Sequence, residues 1–327
     1  MKLSMRFARF AQAGAAFAML GCAAPAFGQG YPAKPISLVV PFPPGGAVDV
    51  VGRGIAGELS KKLPHGVVVL NQPGRDGIIG AGNVARAAPD GYTLLMGDAA
   101  PINFAMLMRD NLPYDPIKDF TPTTMFMVAP VIFAAHPGTN IKSIAELLAQ
   151  ARANPGKLRA GFGGSQLQIA VEMLKQRPSV DILSVPYKGG APAVTDVLGG
   201  HIEIVASSVA SIAPHARSGK LVALAVTSAR RGTAMPDVPT MIELGFANFI
   251  AGTWFGVLGP KGMPDAVTNT LVQAVAEAGR SEAIAALAAR LGGDIEILLK
   301  DDFARRIVQE NERLGPAIRT AGMKATD

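Results

Sequence analysis

The sequence predicts an α/β protein made of two α/β domains that are joined by two crossing strands. From residue 36 onward, short runs of β-branched residues alternate with helical periodicity, a pattern typical of parallel sheets covered by helices. The chain has 327 residues, and chains of this length usually divide into two domains. Two extended apolar runs, residues 126–135 and 249–258, are the candidates for the crossing strands.

The N-terminus has the pattern of a secretory signal peptide over residues 1–28. Lys2, Arg6 and Arg9 precede an uncharged apolar run, after which small residues lead to a polar Gln29. This order of a basic, an apolar and a small-residue region is that of a cleaved export signal. We therefore expect a mature protein in the periplasm.

The only cysteine, Cys22, lies inside this predicted signal. Cleavage would leave a mature chain without cysteine and hence without disulfides. Leu20-Gly21-Cys22 is also a partial lipobox, but Met19 stands where leucine is usual. We favour cleavage over a lipid anchor at Cys22.

The charge pattern argues against nucleic-acid binding. The formal charge of the whole chain is +6, and no basic run with interleaved aromatic residues follows the signal segment, as a nucleic-acid footprint requires. The mature sequence also lacks 18 consecutive apolar residues, the length that indicates a membrane-spanning helix.

The first domain begins with a strand at residues 36–40, a Pro/Gly-rich loop and a helix to about Leu63. Further strands are predicted at residues 67–70 and 92–96. Because their sequences are apolar, we expect all three strands to be buried.

The second domain contains a capping box, Ser143 to Glu146, which predicts a helix start. Three strands should follow, at residues 181–185, 202–206 and 221–227. Beyond Pro264 the spacing of apolar residues is helical, and the last helix should pack on the first domain. The predicted domains are residues 29–128 with 255–327, and residues 129–254.

No catalytic group stands out. The four histidines have no metal-binding spacing, so we expect no metal site; they are His65, His136, His201 and His215. Ser165 lies in a Gly163-Gly164-Ser165 run that lacks the last glycine of a nucleophile elbow. We predict that Ser165 is a helix N-cap.

A dinucleotide-binding motif is the main enzymatic alternative. Residues 80–85 fit the pattern Gly-x-Gly-x-x-Ala, and Asp98 closes a strand at about the distance of a ribose-binding acid. The strand that should precede the motif is missing. We therefore expect close packing at a helix start and no cofactor, with an NAD(P)-dependent oxidoreductase as the alternative.

Two glycine-rich loops could hold an anion. Pro44, Gly45 and Gly46 precede one helix, and residues 161–165 open a helix in the other domain. Backbone amides exposed at such helix starts bind carboxylate or phosphate oxygens. Each loop alone could be a tight turn, but one loop per domain could clamp an anion between the domains.

The chain resembles the Bug-type receptors, which are the substrate-binding proteins of tripartite tricarboxylate transporters. The matching motifs are spread over nearly the whole mature chain, and they are YPAKPI at 31–36, VPFPPGG at 40–46, APDGYTL at 88–94, LPYDP at 112–116, VPYKGGAP at 185–192, PDVPT at 236–240 and WFG at 254–256.

This resemblance implies a type II periplasmic-binding-protein fold and a receptor that is not an enzyme. Such a receptor captures a small carboxylate, either an organic acid or an amino acid, in an interdomain cleft and delivers it to a membrane permease. A role as a ligand-binding sensor is the alternative output, and we expect a monomer. The positions that match the family's ligand-binding segments are Phe42, Pro44, Gly45, Gly46, Ala99, Gly164 and Ser165.

Three residues depart from the family pattern. Asp98 stands where the family usually has Thr or Ser, Gln168 replaces a frequent His, and Ser207 replaces the usual Asp. We count Asp98 and Ser207 among the candidate ligand-binding residues. Asp98 could meet the ammonium group of an amino acid, or it could cap a helix or pair with an arginine outside the cleft.

Overall fold

The computed structural model describes residues 30–324, in which two β-sheets share one long strand. That strand, β4, pairs with β9 and β10 up to Pro130, and its residues 131–135 pair with β7 and β8. The strands are β1 (Ile36–Val40), β2 (Val67–Asn71), β3 (Thr93–Asp98), β4 (Phe120–Ala135), β5 (Leu158–Phe162), β6 (Ile182–Pro186), β7 (Ile204–Ser208), β8 (Val222–Val226), β9 (Gly252–Pro260) and β10 (Asp294–Leu299). The predicted signal peptide with Cys22 lies outside the described residues.

The two sheets repeat one strand pattern. The first has the order β2-β1-β3-β9-β4-β10, and β2, β1 and β3 are parallel. In the second, β6, β5 and β7 are parallel and stand beside the antiparallel β4, which also pairs with β8. In open α/β sheets ligands bind outside the carboxyl ends of the parallel strands. Each sheet therefore offers one edge of loops to a common cleft.

Helices cover both faces of each sheet. They are α1 (Ala47–Ser60), α2 (Ile78–Ala85), α3 (Ala105–Met108), α4 (Ile144–Ala153), α5 (Ser165–Lys175), α6 (Gly190–Leu198), α7 (Val209–Arg217), α8 (Asp265–Gly279), α9 (Glu282–Leu291) and α10 (Lys300–Thr320). Single turns of 3-10 helix are at Arg75–Gly77 and Pro137–Thr139, and a π-helical turn is at Ala100–Phe104.

The apolar faces of these elements form the core. One cluster joins α1, α8 and α9 to the first sheet, and another joins α6 and α7 to the second. The largest cluster runs between the sheets and includes α2, α4, α5 and α10. The indole of Trp254 is buried there, with its ring edge-on to Phe303 at 5.0 Å between centroids. Helix α10 thus packs on β4 and also on α5.

The expectation that all three first-domain strands are buried is wrong for β2. This strand lies at the sheet edge, and Val68 and Leu70 are 51% and 41% exposed. Their neighbours Val67 and Val69 pack against α1's cluster. The apolar sequence of β2 suggested burial on both faces, but the strand is covered on one face only.

Several other expectations can be compared with the structure. The chain beyond Pro264 is mostly helical, as expected, but the spacing did not predict β10, which forms an antiparallel edge against β4. The Gly80–Gly82 motif lies inside α2 rather than in a strand–turn–helix unit. A Cβ on Gly80 would lie 2.8 Å from the Gln72 carbonyl oxygen, which confirms the expected close packing. The helix start at Ser143 is confirmed, since its Oγ accepts from the Glu146 amide, while the Glu146 carboxylate accepts from the Lys142 amide rather than from that of Ser143.

Among residues 30–324, none of the helices combines the length and the apolar character needed to cross a bilayer.

Candidate functional site

The loop after β1 does not offer the open amides that its glycines suggested. Gly46 is the N-cap of α1, and the Gly45 amide donates to Oδ2 of Asp49 at 2.9 Å. Asp49 is 2% exposed and also accepts from Arg53 and Asn71. The chain's own carboxylate therefore occupies part of the predicted anion nest.

Strand β3 ends at a buried carboxyl group. Asp98 is 6% exposed, and its Oδ1 has no hydrogen-bond partner. Burial raises the pKa of Asp98 to about 7, although a hydrogen bond from the Ala100 amide opposes this shift. Among the described residues no arginine is ion-paired with Asp98. The next amide, that of Ala99, donates to Thr253 Oγ1 at 3.3 Å.

The corresponding loops of the second sheet are built from glycines in close contact. A Cβ on Gly163 would lie 2.0 Å from the carbonyl carbon of Gly189, so these two loops touch through their backbones. Ser207 follows the same edge, with its Oγ 3.5 Å from the position of a Cβ on Gly190. The loops after β5, β6 and β7 therefore converge.

Ser165 is not the N-cap of α5. Gly164, with φ of 101°, is the N-cap and makes no side-chain capping bond, so Ser165 is the first residue of the helix. A glycine adopts this φ without strain, and it moves the helix start by one residue. The first amides of α5 have no acceptor within the helix.

An interdomain cavity joins the second sheet's loops to the first. It has a volume of about 180 Å³ and lies between the segment that follows β3 and the start of α5. Its lining residues are Asp76, Ala100, Phe104, Ala105, Met108, Arg109, Gly163, Gly164, Ser165 and Gln166. Backbone and apolar side chains dominate this wall.

The cavity brings together only part of the predicted site. Gly164 and Ser165 line it, whereas Asp98 and Ala99, which precede its Ala100 in the chain, do not. Phe42 is not in the lining either, and its ring and Pro101 both approach Gly77. Pro44, Gly45, Gly46 and Ser207 are likewise absent from the lining.

Sequence reasoning missed the two charged residues of the wall. Arg109 follows α3, and its Nη2 is 3.2 Å from Oδ2 of Asp76, in the 3-10 turn before α2. One signal was present in the sequence, because the segment between Asp98 and Arg109 contains no charged residue. Arg109 ends this uncharged segment, which follows a predicted ligand-binding loop, and it could therefore have been named as a candidate ligand-binding residue.

No group of three or more potential metal ligands occurs within the part of the chain that the structure describes.

Comparison with known proteins agrees with this architecture. A family model described as "Tripartite tricarboxylate transporter family receptor" matches residues 51–323. Protein BugT of Bordetella pertussis is 37% identical over 310 residues, which cover 94% of this chain and 95% of that protein.

Two solved structures extend the likeness to the fold. A TctC solute-binding protein from Polaromonas, solved without ligand, superimposes with a TM-score of 0.81 at 29% identity, over 89% of this chain and 99% of that one. A protein from R. palustris with adipate gives a TM-score of 0.72 at 30% identity, over 90% and 99%.

The fold and the cleft are those of a solute-binding receptor with the type II periplasmic-binding-protein fold, as the sequence predicted. The class consists of binding proteins and not of enzymes. Within it, the chain belongs to the receptors of the tripartite tricarboxylate transporter family, to which the Bug proteins are related.

Proposed function

We propose that this protein captures a small carboxylate in the interdomain cavity and delivers it to the membrane component of a tripartite tricarboxylate-type transporter. The observation that carries the proposal is the cavity itself, which places the amide-rich start of α5 opposite the segment after β3. Helix starts favour anions, because their free amides and dipole point at the ligand.

Binding would close two domains, residues 29–128 with 255–327 and residues 129–254, around the ligand. The support for this division is the exchange of β4's partners between Pro130 and Val131. The family assignment supports a periplasmic location and a permease as the partner, and the adipate-bound relative supports an organic acid as ligand. The protein would act as a monomer, without cofactor or metal.

A ligand screen by thermal unfolding tests the proposal. Adipate, malate, aspartate, glutamate and NADH are each added to the purified mature protein. A ligand at a hundred times its Kd raises the free energy of unfolding by about 2.7 kcal/mol. We expect at least one carboxylate to raise the Tm and NADH to leave it unchanged. Failure of every acid would refute the proposal, and a response to NADH alone would favour the oxidoreductase.

Two variants at one position examine the role of the α5 amides. Ser165→Pro removes the amide of the first helical residue, a position where proline is well tolerated. Ser165→Ala removes the hydroxyl and keeps the amide. Because a hydrogen bond to a charged group contributes about 1.5–3 kcal/mol, Ser165→Pro should weaken carboxylate binding at least tenfold, and Ser165→Ala should weaken it less. Equal affinities of Ser165→Pro and the wild type would exclude this amide as a ligand donor.

A further inference from the structure

Within residues 30–324, the ion pair between Arg109 and Asp76 lies at the cavity wall. These are the only ionisable residues among the described residues that line it. The guanidinium Nη2 lies 3.2 Å from the carboxylate Oδ2, and the two side chains are 7% and 70% exposed. A buried cation is therefore held against a solvated anion at the cavity wall.

The backbone fixes both partners. Arg109 ends α3, where its amide donates to the Ala105 carbonyl at 3.1 Å. Asp76 and its neighbour Arg75 both have left-handed φ, 53° and 47°. Non-glycine residues in this region are strained, and such strain clusters at ligand-binding sites. The turn that presents Asp76 thus maintains an unfavourable backbone conformation beside the cavity.

The two charges differ in how easily they can change partner. Asp76 is mostly exposed, so water can solvate its carboxylate when the ion pair opens, and such pairs contribute little stability. Arg109 is buried and needs an anion nearby, because an unpaired buried charge is costly. A ligand carboxylate that enters the cavity can replace Asp76, and a guanidinium binds a carboxylate through two parallel hydrogen bonds.

We propose that Arg109 is a specificity-determining residue, which exchanges Asp76 for the second carboxylate of the ligand and so selects dicarboxylates over monocarboxylates. This inference rests on the proposed function, in which the α5 amides hold the first carboxylate. Asp76 serves as a resident counter-ion that any weaker ligand group fails to displace.

Asp98 bears on this selection through its position. Both Asp98 and Arg109 act electrostatically on the hydroxyl of Tyr114, which donates to the Pro101 carbonyl at 2.7 Å. Asp98 and Arg109 are therefore both near this hydroxyl. Had Asp98 been the ligand's partner, an ammonium group would be preferred. Arg109 instead lines the cavity and favours a second carboxylate.

Calorimetric titration with ligands matched in length tests the proposal. Adipate is compared with hexanoate and succinate with butyrate, on the wild type and on Arg109→Gln, Arg109→Lys and Asp76→Asn. We expect the wild type to prefer each dicarboxylate to its monocarboxylate at least tenfold. Arg109→Gln should lose about tenfold to a hundredfold for the dicarboxylate, as expected for a charge-assisted pair, and less than threefold for the monocarboxylate. Arg109→Lys should retain part of the preference.

Asp76→Asn supplies the opposite prediction and an independent check. Its site is exposed, so the variant should fold, and dicarboxylates should bind it several-fold more tightly because the competing anion is gone.

Equal losses for both ligand types in Arg109→Gln, no preference in the wild type, or weaker dicarboxylate binding by Asp76→Asn would each overturn the inference. If monocarboxylates bind but dicarboxylates do not, the inference fails and the proposed function stands. If no acid binds, both fail.

Discussion

The cavity wall, called the front below, and the ion-pair network on α10, called the rear, are built on opposite principles. The front combines glycines and apolar side chains with a few polar residues, and the buried Asp98, two residues before Ala100, has one backbone donor. The rear is a network on α10, in which Glu310, 2% exposed, contacts Arg313 at 2.9 Å and Arg306 at 3.8 Å. Arg306 reaches Glu296, and Arg313 donates to the Ile250 carbonyl at 3.0 Å.

This difference shows where the molecule places its fixed contacts. The rear network ties α10 to the segment that enters β9, and its charges neutralise one another. Burial raises the pKa of Glu310, and the two arginines oppose the shift. Behind the cavity wall, Asp98 has no such cation among the described residues. The rear network therefore fixes α10 against the segment before β9 and against β10. Near the front, by contrast, an oxygen of Asp98 has no hydrogen-bond partner.

The largest expected effect comes from breaking the rear network. Glu310→Ala leaves Arg306 and Arg313 side by side without their shared anion, and loss of one partner of a buried ion pair costs about 3–5 kcal/mol. Urea unfolding should show this loss. Glu312→Ala, an exposed acid on the same helix, is the control and should change stability by less than about 0.5 kcal/mol. Equal effects of the two variants would contradict the distinction.

Asp98→Asn should act with the opposite sign and depend on pH. The pKa of Asp98 in the folded protein, about 7, exceeds the ordinary aspartate value of 3.8, so ionisation of Asp98 opposes folding. That penalty is absent below pH 3.8, grows as the pH rises to 7 and is complete above it. The stability of Asp98→Asn relative to wild type should therefore increase by about 2–3 kcal/mol from pH 5 to pH 8.

Urea unfolding at both pH values measures this difference. Asp301→Asn makes the same chemical change at an exposed site and is the control. A pH-independent offset between Asp98→Asn and the wild type would mean that Asp98 is ionised in the fold at both pH values.

Two glycines of the front test how tightly its backbones pack. A Cβ on Gly163 would overlap the Gly189 carbonyl, whereas a Cβ on Gly190 would meet nothing closer than 3.5 Å. Gly163→Ala should lower stability by about 1–3 kcal/mol, as overpacking does. Gly190→Ala should be close to neutral. Thermal unfolding of both variants gives the comparison, and a neutral Gly163→Ala would show that the loops can separate.

The smallest effect is expected far from both regions, in α1. Gly57 is exposed and a Cβ there meets nothing within 4 Å. Gly57→Ala should stabilise the protein by about 0.5–1 kcal/mol, because alanine has the higher helix propensity. In the same helix a Cβ on Gly52 would lie 2.8 Å from Val40 Cγ2, so Gly52→Ala should destabilise it. A stabilising Gly52→Ala would contradict this account of the packing.

The sequence allowed the fold and the loop positions to be predicted, because both depend on local patterns. Strand periodicity, the Ser143 capping box and the glycine-rich loops are encoded within a few residues. The filling of the predicted anion nest after β1 by Asp49 was not predictable in this way. It requires the Asp49 carboxylate to fold back onto the Gly45 amide and to meet Asn71 at the end of β2.

The remaining errors have similar causes. Strand β10 is a short edge strand between two helices, and it is defined by its pairing with β4, a segment distant in the sequence. The pairing of Arg109 with Asp76 joins segments 33 residues apart. Contacts that connect separate elements decide which charges line a cavity, and the sequence pattern does not contain them.

The backbone-built wall has an evolutionary consequence. Amides at the start of α5 do not depend on which side chains surround them, so under the proposed function the capacity to hold one carboxylate would be inherited together with the fold. Substitutions at the two charged positions of the wall can then redirect a duplicated gene to a new metabolite without loss of that capacity. Divergence among paralogous receptors should therefore concentrate at positions equivalent to Asp76 and Arg109, while the glycines that shape the wall persist.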